Sequence, residues 1–224
     1  MTDVAPHCAT GAAPQVHGKS SPAWRLLITL AIAGALSGWL VATVYNITLP
    51  AVRRHAAERL DAAVREVLRA PVRWDTLYLV HDALTRTAPA GDLDQVPKAY
   101  VGYDAAGKRL GVAITAAEPG FQELVTLMIG YDPGSGSLIG FTVLDEKETP
   151  GLGDKIERDS DFTHQFVGRT PPLTGVKGRA PATPSEVQTI TGATISSRAV
   201  VRIIDHAVER WRPLLAAWDR GGTT

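Results

Sequence analysis

"LVTLMIGYDPGSGSLIGFTVLDE", residues 124–146, sets two runs rich in β-branched and aromatic side chains on either side of Asp132-Pro133-Gly134-Ser135-Gly136. Val, Ile, Thr, Tyr and Phe suit a pleated, half-buried surface, whereas Pro and Gly close a tight turn. The stretch therefore predicts an antiparallel hairpin. "KAYVGYDAAGKRLGVAITA", residues 98–116, repeats the design around a turn containing Gly107. A further strand is expected in "VRWDTLYLV", 72–80, so these segments together predict an antiparallel sheet. The glycines of "GSGSLIG" have the wrong spacing for a nucleotide-binding fingerprint and no helix follows them, so turn chemistry accounts for them.

Helices flank the sheet in sequence. Val200, Ile203, Ile204, Ala207, Val208, Trp211, Leu215 and Trp218 recur at steps of three or four, with Arg202, Asp205, Glu209 and Arg210 on other faces. This stripe predicts a C-terminal helix starting near Ser196 or Ser197, with Pro213 kinking or ending it. Between sheet and helix, "RTPPLTGVKGRAPATPS" (169–185) has the Pro and Gly content of a surface loop. On the N-terminal side, Val52, Ala56, Leu60, Val64, Val67 and Leu68 mark another helix, stopped by Pro71.

That helix continues from an apolar run. From Leu26 to Pro50 the chain carries no charged residue and no histidine, a length of about 37 Å as a helix. It is long enough to cross a bilayer, and it exceeds the apolar region of a secretory signal peptide. Trp24 and Tyr45 lie near its ends, where amphipathic rings favour the headgroup boundary. The sequence thus predicts an α+β protein: a tail over 1–23, a transmembrane helix over 24–47, a connecting helix over 48–70, a mixed domain over 71–218 with antiparallel hairpins and a C-terminal helix, and a short tail over 219–224.

Charge narrows the partners. Lys+Arg and Asp+Glu both number 23, so no basic excess attracts nucleic acid. The single cysteine, Cys8, excludes an intrachain disulfide and a thiolate metal cluster. Neither HExxH nor G-x-S-x-G nor a Walker A sequence occurs. His206 and Glu209 offer half of an i,i+3 metal site without a second half, and His55, His81 and His164 lack ligand spacing, so no metal site is expected. Arg53, Arg54, Arg59 and Arg65 follow the span while Lys19 and Arg25 precede it, which by charge counting puts the C-terminal part in the cytoplasm. Glu58, Asp61 and Glu66 interleave with those arginines, as on a salt-bridged helix surface.

Two stretches carry candidate chemistry. In "TITGATISSRAVV", 189–201, a helix N-terminus offers unpaired N–H groups that favour a phosphate, and Gly192 and Ala193 leave room for a group at the Thr194 hydroxyl. Alternatively Thr194, Ser196 and Ser197 cap the helix. In "DEKETPGLGDKIE", 145–157, Leu152 is held between two glycines within a charged segment, either as part of a solvated turn or as an apolar contact for a flat ring.

Glu148-Thr149-Pro150-Gly151-Leu152-Gly153-Asp154-Lys155-Ile156, followed some forty residues later by Thr191-Gly192-Ala193-Thr194-Ile195-Ser196-Ser197, resembles the FMN-binding domain of the G subunit of Rnf electron-transport complexes. The C subunit of the sodium-translocating NADH:quinone oxidoreductase shares the motif. The likeness extends over roughly residues 24–215. Glu146 is a departure, since many members of the family have histidine there.

The resemblance implies FMN attached through a phosphoester bond to Thr194, with Thr191, Gly192, Ala193 and Ser196 around the attachment and Glu148, Thr149, Leu152 and Gly153 lining the flavin. It implies no catalytic base, and no independent turnover by the isolated chain. Its partners are then the other membrane subunits of the complex and a transferase that moves FMN from FAD to the threonine. The complex couples electron transfer between ferredoxin and NAD to Na⁺ or H⁺ movement. By the same resemblance the flavin domain faces the periplasm from the cytoplasmic (inner) membrane, against the arginine count. The C subunit of the quinone reductase, and a membrane-anchored binding or sensory domain without covalent flavin, are the rival readings.

Overall fold

The structure is a computed structural model that describes residues 22–91, 93 and 96–221. The expected N-terminal tail through residue 21, with Cys8 and Lys19, lies outside the described residues, as do 222–224. The chain divides into two units, 1–53 and 54–224.

The helix α1 (Ala23–Val67) runs for 45 residues. Within the first unit Leu26, Leu30, Leu36, Trp39 and Ile47 are exposed. Its apolar window has the length and composition to cross a membrane and none of it is buried. An apolar helix surface of this kind is stable in lipid, where every backbone group is satisfied inside the helix. Pro50 is accommodated without ending α1.

In the second unit α1 ends at Val67, and Arg69 and Ala70 adopt positive φ of 57° and 58° before Pro71. Proline disfavours a right-handed helical conformation in the residue before it, which fits a helix stop here. There follow β1 (Arg73–Val80), β2 (Ala83–Thr85), β3 (Lys98–Tyr103), β4 (Arg109–Pro119), β5 (Leu124–Asp132) and β6 (Ser137–Asp145). They form one antiparallel sheet in the order β2-β1-β3-β4-β5-β6. Both expected hairpins are present, β3 with β4 and β5 with β6. A third, β1 with β2, is additional to them. His81 and Asp82, at φ 49° and 59°, turn β1 into β2 with the two positive-φ residues that match strand twist.

Helices cover both faces of the sheet. Side chains alternate along a strand, so Val101, Val112, Ile114, Leu127 and Ile129 point to one face while Tyr100, Ala113 and Met128 point to the other. The first group packs with Val200, Ile203, Ile204, Val208 and Trp211 of α4 (Thr194–Arg220). The second packs with Ala63, Val64, Val67 and Leu68. The α4 stripe is thus the expected one, but α4 starts at Thr194, ahead of Ser196 and Ser197, and Pro213 does not end it. Burial of Leu215 and the Arg109–Asp219 pair at 2.6 Å hold the helix beyond the proline.

Between sheet and α4, Asp159 accepts from the N–H groups of Asp161 and Phe162 and starts α3 (Ser160–His164), which follows α2 (Lys155–Arg158). Phe162 and Phe166 meet Phe141 of β6 edge-on, with centroids 6.2 and 4.8 Å away. The Pro-rich segment is not wholly loop. It contains β7 (Thr174–Val176), paired in parallel with β8 (Glu186–Gln188). The Leu173 N–H donates to Asp205 Oδ1 at 2.9 Å and so ties β7 to α4. Arg179 pairs with both oxygens of Glu186 at 2.7 Å, and this guanidinium, with the Ala182 N–H, brings the Glu186 carboxyl down to about 2.

This packing can be tested at two positions. A Cβ at Gly130 would stand 2.6 Å from the Val67 carbonyl oxygen, a backbone atom. Gly130→Ala is therefore expected to cost about 1–3 kcal/mol in urea unfolding of the detergent-solubilised chain. Because the folded-state value of Glu186 is depressed, its contribution is complete above the ordinary value of 4.5 and lost as pH falls toward about 2. The Ala182 amide resonance of the folded chain is expected to titrate with its midpoint at the low end of that window, about 2.

Candidate functional site

The candidate stretches converge on one buried carboxylate. After β6 the chain enters the Glu146–Gly153 loop, where Glu148 is only 5% exposed. Its Oε1 accepts the N–H groups of Phe121 at 2.8 Å and Gln122 at 3.1 Å. Its Oε2 accepts the Ser196 hydroxyl at 2.6 Å. One side chain thus joins the β4–β5 turn, its own loop and the first turn of α4. A buried carboxylate is tolerated when donors satisfy it, and here three do.

Two glycines make room for it. A Cβ on Gly153 would lie 2.7 Å from Glu148 Cβ and 3.1 Å from Ser196 Oγ, and one on Gly120 would strike Glu148 Oε1. The loop closes on itself through the Thr149 carbonyl, which accepts from Leu152 N at 3.1 Å and Gly153 N at 2.9 Å. Gly151 takes a φ of 77° within that turn. The Thr149 hydroxyl accepts from Gln122 Nε2 at 2.5 Å. Asp154, also buried, approaches Arg158 at 3.4 Å through Oδ2, while its Oδ1 has no hydrogen-bond partner among the described residues.

The start of α4 is built from backbone rather than caps. Gly192, at φ 88°, leads into Ala193, which occupies the N-cap without a side-chain hydrogen bond. Ser197 Oγ donates to Ala193 O at 2.8 Å and accepts from Ile190 N at 3.1 Å, and Ser196 is committed to Glu148. Thr194 is the first helical residue and half-buried, and its hydroxyl has no hydrogen-bond partner among the described residues. The first-turn N–H groups of a helix have no intrahelical acceptor, so an unengaged hydroxyl stands beside an anion-favouring end.

Exposed apolar side chains belong to the same segments. Leu152 is 48% exposed, and its Cδ2 would lie 3.3 Å from a Cβ on Gly192. Ile195, next to Thr194, and Phe121, whose N–H binds Glu148, are exposed as well. Phe121 and Ile195 are absent from the candidates drawn from sequence, although the former follows a glycine in "PGF" and the latter adjoins the motif threonine. Of those candidates, Glu148, Leu152, Gly153, Gly192 and Ser196 are brought into mutual proximity, with Thr149 linked through Gln122. Ala193 is buried beneath them, and Thr191 is exposed at the edge.

Below the site, Glu118 accepts Arg202 Nε at 2.8 Å and contacts His206 Nδ1 at 2.7 Å. Partial burial raises the Glu118 carboxyl, but the hydrogen bonds with Arg202 and His206 outweigh it and hold the group below its ordinary value. His206 therefore engages β4 across the fold.

Residues 120–209, which include every one of these site elements except Glu118, match the family model described as an FMN-binding domain. The G subunit of the ion-translocating oxidoreductase complex of Yersinia pestis is 32% identical over 80% of this chain and 86% of its own length. The G subunit of the proton-translocating ferredoxin:NAD(+) oxidoreductase complex of Clostridium ljungdahlii is 31% identical over 81% and 87%. This chain belongs to the family of G subunits of ion-translocating oxidoreductase complexes. Its fold is shared with NqrC of Shewanella oneidensis, at a TM-score of 0.51 and 18% identity over 67% of this chain and 82% of that one. The C subunit of the Na(+)-translocating NADH-quinone reductase of Parabacteroides distasonis gives the same TM-score, 0.51, at 17% identity over 65% of this chain and 78% of its own. The G-subunit family thus has in this member a site whose two motifs are locked together by Glu148 and Ser196.

Removing the lock has a calculable cost. Glu148→Ala leaves two buried N–H groups and a hydroxyl unpaired, which is expected to cost on the order of 3 kcal/mol in urea unfolding. Ser196→Ala removes one of those bonds and is expected to cost about 1–3 kcal/mol, with clear non-additivity in the double variant.

Proposed function

We propose that this chain is an electron-carrying flavoprotein subunit of an Rnf-type, ion-translocating complex, with FMN joined through its phosphate to Thr194. The observation that carries the reading is the unengaged Thr194 hydroxyl at the open N-terminus of α4, inside the FMN-binding match and beside the Leu152 loop. The residues present fit the group. A phosphate suits the first-turn N–H groups, and Gly192 keeps the approach narrow enough for it. Leu152, Ile195 and Phe121 offer apolar contact to a flat ring.

Attachment forms a bond between Thr194 Oγ1 and phosphorus. With FAD as donor the pyrophosphate bond breaks, AMP leaves and the hydroxyl proton passes to solvent, under a flavin transferase. The phosphoester retains the cofactor without altering its ring, and bound FMN supplies one-electron and two-electron transfer. The protein holds and shields the ring, with Glu148 and Ser196 fixing the two segments that would touch it. No catalytic base is required of it.

The exposed apolar part of α1 anchors the chain in the cytoplasmic membrane, with the FMN domain on the periplasmic side. Retention of the arginines in the cytoplasm is not needed to explain them all: Arg65 stacks over the Trp74 ring at 4.9 Å and serves the fold. Other members of the complex would exchange electrons with this one, coupling ferredoxin and NAD to Na⁺ or H⁺ transport. Co-purification with the subunits of the quinone reductase would instead place the chain in that complex.

Mass spectrometry of the protein from its native membrane is expected to show the mass of FMN less one water on the Thr194 peptide, and none in Thr194→Ala. An unmodified Thr194 in cells with an active transferase would overturn the reading in favour of a binding or sensory domain. The isolated flavin-loaded chain is expected to show no steady NADH oxidation in a spectrophotometric assay, since the sequence has no dinucleotide fingerprint.

A further inference from the structure

Glu146 stands between the end of β6 and the Glu148 loop, half-buried, and its Oε2 accepts the Glu148 backbone N–H at 2.6 Å. A side chain that binds the main chain two residues ahead fixes that local turn. The turn is the one that aims the Glu148 carboxylate at Phe121, Gln122 and Ser196. Glu146 therefore acts on the site through its neighbour.

It also brings charge. Glu146 and Glu148 place two carboxylates at the start of the loop, and the lysine between them is committed elsewhere: Lys147 Nζ pairs with Glu123 Oε2 at 2.9 Å on the exposed surface. Among the described residues no salt bridge joins either glutamate to a cation. The three hydrogen bonds to the Glu148 carboxylate come from neutral groups, which satisfy it without cancelling its charge.

We propose that Glu146 is a positioning residue that also tunes the flavin: it holds the Glu148 loop in place and, by its negative charge, lowers the midpoint potential of the bound FMN. This rests on the FMN reading above. Full reduction takes up two electrons and, near neutral pH, one proton, so the ring gains one negative charge. A fixed carboxylate in the partly desolvated loop opposes that gain, more strongly than a charge in open water does.

The two roles separate by substitution. Glu146→Gln keeps an oxygen acceptor for the Glu148 N–H and removes the charge, whereas Glu146→Ala removes both. Glu209→Gln removes an exposed carboxylate of α4, about four helical turns from Thr194, and serves as the control for net charge. All are made in the full chain, in cells with an active flavin transferase. Covalent flavin is measured by mass spectrometry, midpoint potential by spectroscopic titration with dithionite, which supplies the electrons, and exchange of the Glu148 amide by hydrogen–deuterium exchange.

Glu146→Gln is expected to load flavin as the wild type does and to titrate at a more positive potential, with the Glu148 amide still protected. Glu146→Ala is expected to lose that protection, and Glu209→Gln to leave the potential unmoved. Loaded wild-type and Glu146→Gln proteins titrating at the same potential would overturn the tuning role alone. Unchanged Glu148 exchange in Glu146→Ala would overturn the positioning role. Wild-type protein without flavin would overturn the FMN reading, and the tuning role with it.

Discussion

A single buried carboxylate organises this site. Glu148 takes hydrogen bonds from two backbone N–H groups and one hydroxyl, each belonging to a segment remote from it in sequence. Burial of an unpaired carboxylate costs several kcal/mol, so the three donors are not interchangeable decoration but the condition for its presence. The requirement propagates outward. Gly120 and Gly153 are the residues that let main chain close around the carboxylate, and a Cβ at either would collide with it. Ser196 cannot cap α4 because its hydroxyl is already engaged, and Ser197 turns back to Ala193, which leaves the helix end to Thr194.

The sheet supplies the rigidity against which this arrangement is set. Helical segments cover both of its faces, so the central strands are buried on each side and neither face can slip by one residue without exposing apolar side chains. α4 carries the site at its first turn and the core along its length, and thereby ties the position of Thr194 to the packing of Ile203, Val208 and Trp211. Arg202 and His206 add a second link, gripping Glu118 and the Pro119 carbonyl just before the turn that binds Glu148. A flavin held here by its phosphate would therefore be referred to the rigid part of the molecule rather than to a mobile loop.

The hairpins were legible because local chemistry and tertiary context agree in them: Asp132 to Gly136 can turn, and the flanking runs need burial. The α4 stripe was legible for the same reason. By contrast, β7 is three residues long within a Pro- and Gly-rich segment, and its partner β8 lies ten residues away, so nothing local marks it. α4 begins two or three residues ahead of its expected start, and the serines serve other partners, a fact that propensity does not contain. Glu148 is read from sequence as lining the flavin by the resemblance and by its place in the Leu152 loop. In "DEKETPG" it looks like one more solvated charge, and its burial depends on donors from residues 121, 122 and 196.

By itself the sequence determined the ingredients that depend on near neighbours: an apolar helix of bilayer length, antiparallel hairpins, an amphipathic C-terminal helix, and two glycine-containing motifs that resemble those of one family. Periodicity, turn chemistry and the absence of charge act over a few residues and can be read along the chain. Only the tertiary structure decided that the two motifs meet through Glu148 and Ser196, that the hydroxyl of Thr194, at the first position of α4, has no hydrogen-bond partner among the described residues, and that the Phe121 N–H binds Glu148. These depend on which donors reach a buried carboxylate across the fold, and that is settled when the sheet and α4 pack, not by any stretch of sequence read alone.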